Sequence, residues 1–230
     1  MIEVVDMRKR YRRRAVLERV SFSVPKERIT CLIGVNGAGK STVLKAIMRL
    51  TPIDGGAVLV DGSPVEGGGL YERVSFVPDR LSMPGGMTLT ESLRFMSDYY
   101  RSWKPERAAE LMRFFRLDGA ERVGNLSKGT AAKFNLVLGL ALDTDYVLMD
   151  EPFSGIDLFS REMIADVFAS EWIERRGVLL TTHEIGEMEH LIDRAVLLKD
   201  GVVEREFDCE RIREEEGKSI VDVMREVYRA

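Results

Sequence analysis

Residues 29–48 read ITCLIGVNGAGKSTVLKAIM, and the order of residue types in this stretch sets the architecture. Ile29 to Ile33 is a short apolar, β-rich run that stops at Gly34. From Ser41 the pattern turns helical, with Val43, Leu44, Ile47 and Met48 recurring on one side. The stretch therefore predicts a strand, a glycine-rich loop and a helix. Gly34 to Ser41 fits G-x-x-x-x-G-K-[ST] in the context that gives this motif its meaning. The glycines let backbone N–H groups turn inward around phosphates, and the helix N-terminus adds its positive dipole end. Lys40 is placed to neutralise the β- and γ-phosphates of a nucleotide, and the Ser41 hydroxyl to coordinate Mg2+. Asn36, Gly37, Ala38, Gly39, Lys40, Ser41 and Thr42 make up the expected phosphate-binding set.

Downstream, Tyr146-Val147-Leu148-Met149 reads as a strand apolar enough to be covered on both faces, and it runs directly into Asp150-Glu151-Pro152. Two carboxylates at the carboxyl end of a buried parallel strand lie where open α/β sheets bind ligands. Asp150 is suited to a Mg2+ water shell, and Glu151 to orienting or polarising an attacking water. Val178 to Thr182 predicts a further buried strand. Ile2 to Val5, Val20 to Val24 and Ala57 to Val60 predict an antiparallel layer, punctuated at Asp54-Gly55-Gly56 and Asp61-Gly62. From Pro84 to Leu142 the period is helical, so about residues 84–142 are expected to form a helical subdomain inserted into the α/β core. Gly67-Gly68-Gly69 and Gly85-Gly86 are read as loops. The whole of 1–230 is taken as one domain, with a short C-terminal extension from about residue 202.

Composition narrows the function. The 230 residues are 45% hydrophobic, enough for a substantial core, and the formal net charge of −4 supplies no bulk basic field for nucleic acid. Cys31 and Cys209 are too few and too far apart for a disulfide framework, and the opening MIEVVDMRKRYRRR lacks the apolar core of a secretory signal. A reducing cytoplasm is the expectation. The longest apolar stretch, Phe134 to Leu142, is interrupted by Asn135 and falls well short of the roughly 18 residues of a membrane span. Any membrane work would fall to another polypeptide.

From about Ile2 to Gly201 the sequence resembles the ABC ATPase family. Besides the phosphate loop and the acidic strand end, the resemblance rests on Leu126-Ser127-Lys128-Gly129-Thr130, similar to the signature LSGGQ. It rests also on Ser154-Gly155-Ile156-Asp157, similar to the D-loop, and on His183 after Thr181-Thr182, similar to the switch histidine. The resemblance implies a P-loop NTPase fold and MgATP hydrolysis, with Lys40, Glu151 and His183 as catalytic residues. It implies a head-to-tail dimer, homo- or heterodimeric, in which Ser127 and Gly129 reach the γ-phosphate bound by the other subunit and Asp157 lies close by. Tyr11 matches the aromatic position that stacks adenine; its neighbours Arg8, Lys9, Arg10, Arg12, Arg13 and Arg14 read as a solvated basic hairpin. His190 matches nothing in the family and reads as a surface residue.

The resemblance also implies separate transmembrane permease subunits and a place on the cytoplasmic face of the cell membrane, with no nucleic-acid partner. The segment after Asp79 would then carry the partner groove, for which Leu81, Met83, Met87 and Phe95 are candidates. The motif wording is closest to bacterial ATPases of drug and peptide exporters, which points to export. Three positions depart from the family. Asp79 replaces the Q-loop glutamine, where a carboxylate can still join the Mg2+ water shell. Lys128 and Thr130 replace the first glycine and the glutamine of the signature, which suggests slower turnover. Two other readings compete. A soluble ABC ATPase acting on nucleic acid or translation would bring a coiled-coil insertion, tandem cassettes or zinc cysteines, and these are missing. A non-hydrolysing regulatory subunit would not need Lys40, Glu151 and His183.

Overall fold

The computed structural model describes residues 1–64, 69–183 and 185–229. Gly67 and Gly68, read above as loop, lie outside the described residues. In chain order the elements are β1 (Ile2–Tyr11), β2 (Arg14–Val24), β3 (Ile29–Ile33), α1 (Lys40–Ile47), β4 (Gly55–Val60), β5 (Ser63–Pro64), α2 (Leu70–Arg73), β6 (Val74–Val77), α3 (Leu89–Tyr99), α4 (Pro105–Phe114), α5 (Lys128–Leu140), β7 (Tyr146–Asp150), α6 (Leu158–Phe168), α7 (Glu171–Glu174), β8 (Gly177–Thr182), β9 (Arg194–Lys199), β10 (Val202–Asp208), α8 (Cys209–Glu216) and α9 (Ile220–Arg229). Gly69 is not loop as expected but the residue that opens α2.

The strands form one curled sheet in the order β5-β4-β1-β2-β10-β9-β3-β8-β7-β6. Its core, β9-β3-β8-β7-β6, is parallel throughout. β1, β2, β4 and β5 make the antiparallel layer. β10 joins the two, antiparallel to β9 and touching β2 at Val202 and Arg19. The β9–β10 hairpin was missed above although its turn, Asp200-Gly201, is a strong hairpin signal: both residues have positive φ, 48° and 81°, as a two-residue turn between twisted strands requires.

Side-chain alternation along the core strands sorts the interior into two clusters. Leu32, Leu148 and Leu179 face α1 and the antiparallel layer, packing with Val43, Leu44 and Ile47. Cys31, Ile33, Val147, Met149, Val178 and Leu180 face the other way, toward α3–α6 and α9. Each fully buried Leu or Ile here contributes about 1.5–3 kcal/mol. α5 is apolar nearly all round because it lies between the sheet and other helices; Phe134, Val137 and Leu140 are fully buried. Both cysteines are buried and free, and burial pushes the Cys209 thiol up to about 12.

α3 begins with a reciprocal cap, in which Glu91 N–H donates to Thr88 Oγ1 at 3.1 Å and Thr88 N–H to Glu91 Oε2 at 2.7 Å. Leu89 and Met96 are core, as their spacing predicts, with Leu93 and Tyr100 packed at its edge. Of the partner-surface candidates, Phe95 is exposed and stacks on Tyr99. Leu81 and Met83 instead pack against the core, and Met87 is half-buried.

Candidate active site

Parallel strands end on the same side, so the register of the core collects its loops at one edge. Ile33 pairs with Thr182 and Asp150 with Thr181. The loops leaving β3, β7 and β8 therefore bring Gly34–Gly39, Glu151 and His183 to one level. The β6 exit adds Pro78 and Asp79. A pocket of about 980 Å³ opens there, lined among others by Lys40, Ser41, Asp79, Asp150, Glu151 and His183. Asn36, Gly37, Gly39 and Thr42 line it too.

The glycine-rich loop launches α1 through Gly39, whose φ of 107° is open to glycine and costly to other residues. A Cβ there would also meet Leu17 Cδ2 at 2.7 Å. Among the described residues no side chain caps α1, and uncapped N–H groups at a helix N-terminus suit an anion. Lys40 is 6% exposed. Its ammonium donates to Gly34 O at 2.7 Å and lies 3.1 Å from Glu151 Oε1, the compensation a buried cation requires.

The acidic pair divides its contacts. Asp150 Oδ1 accepts from Ser41 Oγ at 3.0 Å and from Thr181 Oγ1 at 2.7 Å. Thr181 Oγ1 in turn accepts from Glu151 N–H at 3.0 Å. Glu151 has φ 50°, a left-handed conformation a non-glycine residue adopts at a cost of order 1–3 kcal/mol, and its other oxygen lies 2.8 Å from His183 Nδ1. Lys40, Glu151 and His183 thus form one chain of contacts. Asp150 Oδ2 is buried without a hydrogen-bond partner among the described residues. A buried lone pair of this kind beside the Ser41 hydroxyl fits a hard cation. No trio of His, Cys, Asp or Glu side chains converges into a metal cage among the described residues.

Other expected site residues lie elsewhere. Tyr11 ends β1 opposite Arg14 across the Arg12–Arg13 turn; it is 46% exposed, and Lys9 Nζ lies 5.1 Å from its ring centre. The arginines of the turn are exposed, as expected of a solvated hairpin. Ala38 is buried within the loop. Ser127 caps α5, accepting from Thr130 N–H at 3.1 Å. Asp157 caps α6, and the Ser160 amide and hydroxyl hold its carboxyl below the ordinary value. Gly129 fits against that cap: a Cβ would lie 2.5 Å from Ser160 Oγ and 2.8 Å from Asp157 Oδ2. Tyr11, Ser127, Gly129 and Asp157 do not line the Lys40–Glu151 pocket, whereas Lys128 does. His190 is exposed, as expected. Sequence reasoning missed Thr181, whose only signal was a hydroxyl on an apolar strand, and Asn135, whose amide donates to Pro78 O at 2.6 Å and steadies the Asp79 loop.

Residues 17–154 match the family model described as ABC transporter. The chain belongs to this family. It is an ABC-type ATPase, the ATP-binding subunit class of these transporters. It is 31% identical over 228 residues to the Nod factor export ATP-binding protein I of Burkholderia orbicola, covering 92% of this chain and 75% of that protein. It is 34% identical to the taurine import ATP-binding protein TauB of Burkholderia thailandensis, over 79% of this chain and 72% of that one. Among solved structures, an ATP binding subunit of an ABC transporter superposes with a TM-score of 0.87 at 28% identity, covering 98% of both chains. No helix of this ABC ATPase is long and apolar enough to cross a membrane among the described residues.

Proposed function

We propose that this ABC ATPase binds MgATP in the Lys40–Glu151 pocket and hydrolyses it to drive transport through separate permease subunits at the cytoplasmic face of the membrane. The observation that carries the reading is the convergence of Lys40, Asp150, Glu151 and His183 from three strand ends on the phosphate loop. The loop N–H groups and Lys40 bind and orient the phosphates, and the buried walls around Lys40 and Asp150 limit water there. Glu151 accepts a proton from the attacking water as the bond to the γ-phosphorus forms, and the ADP oxygen leaves on the opposite side. His183, hydrogen-bonded to Glu151, fixes that carboxylate. Mg2+, held by Ser41 and Asp150 with Asp79 near its water shell, would neutralise charge on the β- and γ-phosphates.

Ser127 and Gly129, which do not line this pocket, serve the site of a second ATPase subunit. Ser127 Oγ and Thr130 Oγ1 lie 2.8 Å apart and either can donate; with Thr130 as the donor, the Ser127 hydrogen is left for an incoming anion. The exposed Leu158 and Phe159, 55% and 76% accessible beside the Asp157 cap, supply apolar surface for that contact. Tyr11 offers its ring to adenine. Residues 1–230 act as one ATPase domain, with the helical subdomain at about 84–142; the extension expected from about 202 is reduced to α8 and α9, because β10 belongs to the sheet. Export is the direction to which the resemblance of the signature and Asp150-Glu151 segments to exporter ATPases points; the relatives include both an export protein at 31% identity and an import protein at 34%.

The cation assignment is tested by Asp150→Asn. Weakening one of two protein contacts to the metal is expected to raise the Mg2+ concentration for half-maximal ATPase activity roughly tenfold or more. An unchanged Mg2+ titration would remove Asp150 from that role.

A further inference from the structure

The last helix of the chain reaches the root of the phosphate loop. Tyr228, near the C-terminal end of α9, points its hydroxyl at two carbonyls: Ile33 O at 3.0 Å and Leu198 O at 3.1 Å. Ile33 is the final residue of β3, and its carbonyl shares one planar peptide with the N–H of Gly34, the first residue of the phosphate loop. That N–H donates to Thr182 O at 3.4 Å, one residue before His183. The peptide that launches the loop is thus held at its oxygen by α9 and at its nitrogen by the end of β8. Leu198 O, the second acceptor, sits only 2.7 Å from where a Cβ on Gly34 would lie. The tyrosine therefore bridges β3 and β9 at the point where Gly34 passes between them.

Both ends of α9 are fastened. At the start, Ser219 and Asp222 cap each other, with Ser219 N–H donating to Asp222 Oδ2 and Asp222 N–H to Ser219 Oγ, both at 3.1 Å. Ile220 N–H donates to Glu189 Oε1 at 2.8 Å, in the segment that follows His183. At the other end Lys199 Nζ donates to Val227 O at 2.9 Å. Ile220 and Val223 are buried in the same cluster as Ile185 and Met188. Burial raises the Tyr228 phenol to about 12, so it stays a donor. A hydroxyl carries a single proton, so it serves its two acceptors alternately or as a shared bond.

We propose that Tyr228, carried to the root of the phosphate loop by the C-terminal end of α9, is a positioning residue whose hydroxyl sets the affinity for nucleotide. The proposal rests on the nucleotide-site reading above. Losing the hydroxyl frees the Ile33–Gly34 peptide to tilt, and every loop N–H that follows shifts with it.

The test compares MgADP binding by calorimetry in the whole chain, in Tyr228→Phe and in Asp222→Ala, each with its nucleotide-free melting temperature. Tyr228→Phe keeps the ring and removes one donor, so its Kd is expected to rise roughly 3- to 10-fold, and the KM for ATP with it. Asp222→Ala loosens α9 at the far end and is expected to stay within about twofold of the unaltered chain at equal or greater loss of melting temperature. A Tyr228→Phe Kd equal to that of the unaltered chain overturns the proposal, and so does an equal weakening in Asp222→Ala. If the unaltered chain binds no MgADP, the nucleotide-site reading fails first and the proposal falls with it.

Discussion

Lys40→Ala is expected to weaken MgATP and MgADP binding on the order of 100-fold, about 3 kcal/mol. The ammonium is almost fully buried and already committed to the loop, bonded to Gly34 O and facing Glu151. Its removal takes a charge-assisted donor from the phosphates. It also leaves the Glu151 carboxylate without its cation, so a polyanion entering the pocket meets uncompensated like charge. Lys40→Arg should not rescue binding, because the planar guanidinium is too wide for a slot shaped to a compact ammonium. Calorimetric titration of both variants checks this. Binding within about threefold of the unaltered chain would mean that the phosphates lie elsewhere.

Glu151→Gln is expected to lower steady-state MgATP turnover by about 10²- to 10⁴-fold while nucleotide affinity changes only a few-fold. Glutamine keeps the shape and can still bond His183, so the unusual backbone at this position, with φ 50°, is under no new demand. What is lost is the basic oxygen that takes the proton from water. A single-turnover assay with a parallel binding titration separates the two effects. Residual turnover within tenfold of the unaltered chain would assign the proton transfer to another group.

The parts of this site that the sequence made legible are those written contiguously. The run from Ile29 to Met48 carries strand, loop and helix in one stretch, and Asp150-Glu151 follows its strand without a break, so local pattern and final position agree. The pairing of Glu151 with both Lys40 and His183 depends on the order β3-β8-β7 in the sheet, and sequence spacing does not encode that order. Thr181 was unremarkable until Asp150 lay beside it. Tyr228 was out of reach altogether, because its partners are 195 and 30 residues away and an amphipathic terminal helix looks alike wherever it docks. The β9–β10 hairpin is a different case: Asp200-Gly201 between two β-rich runs was readable and was passed over in favour of an extension. Leu81 and Met83 went the other way: they lie in the connection between β6 and α3, where apolar residues follow no period that would separate a covered face from a free one, and they pack against the core.

The central claim is that this chain is an ATPase that works as a dimer. It is tested most directly by measuring MgATP hydrolysis of the purified chain across a range of protein concentrations, with size-exclusion chromatography of Glu151→Gln in ATP alongside. The account predicts turnover per chain that rises with concentration, and an ATP-dependent shift of Glu151→Gln to twice the mass. Absence of both turnover and dimer at every concentration, even with permease subunits present, would contradict it and leave a non-hydrolysing regulatory role.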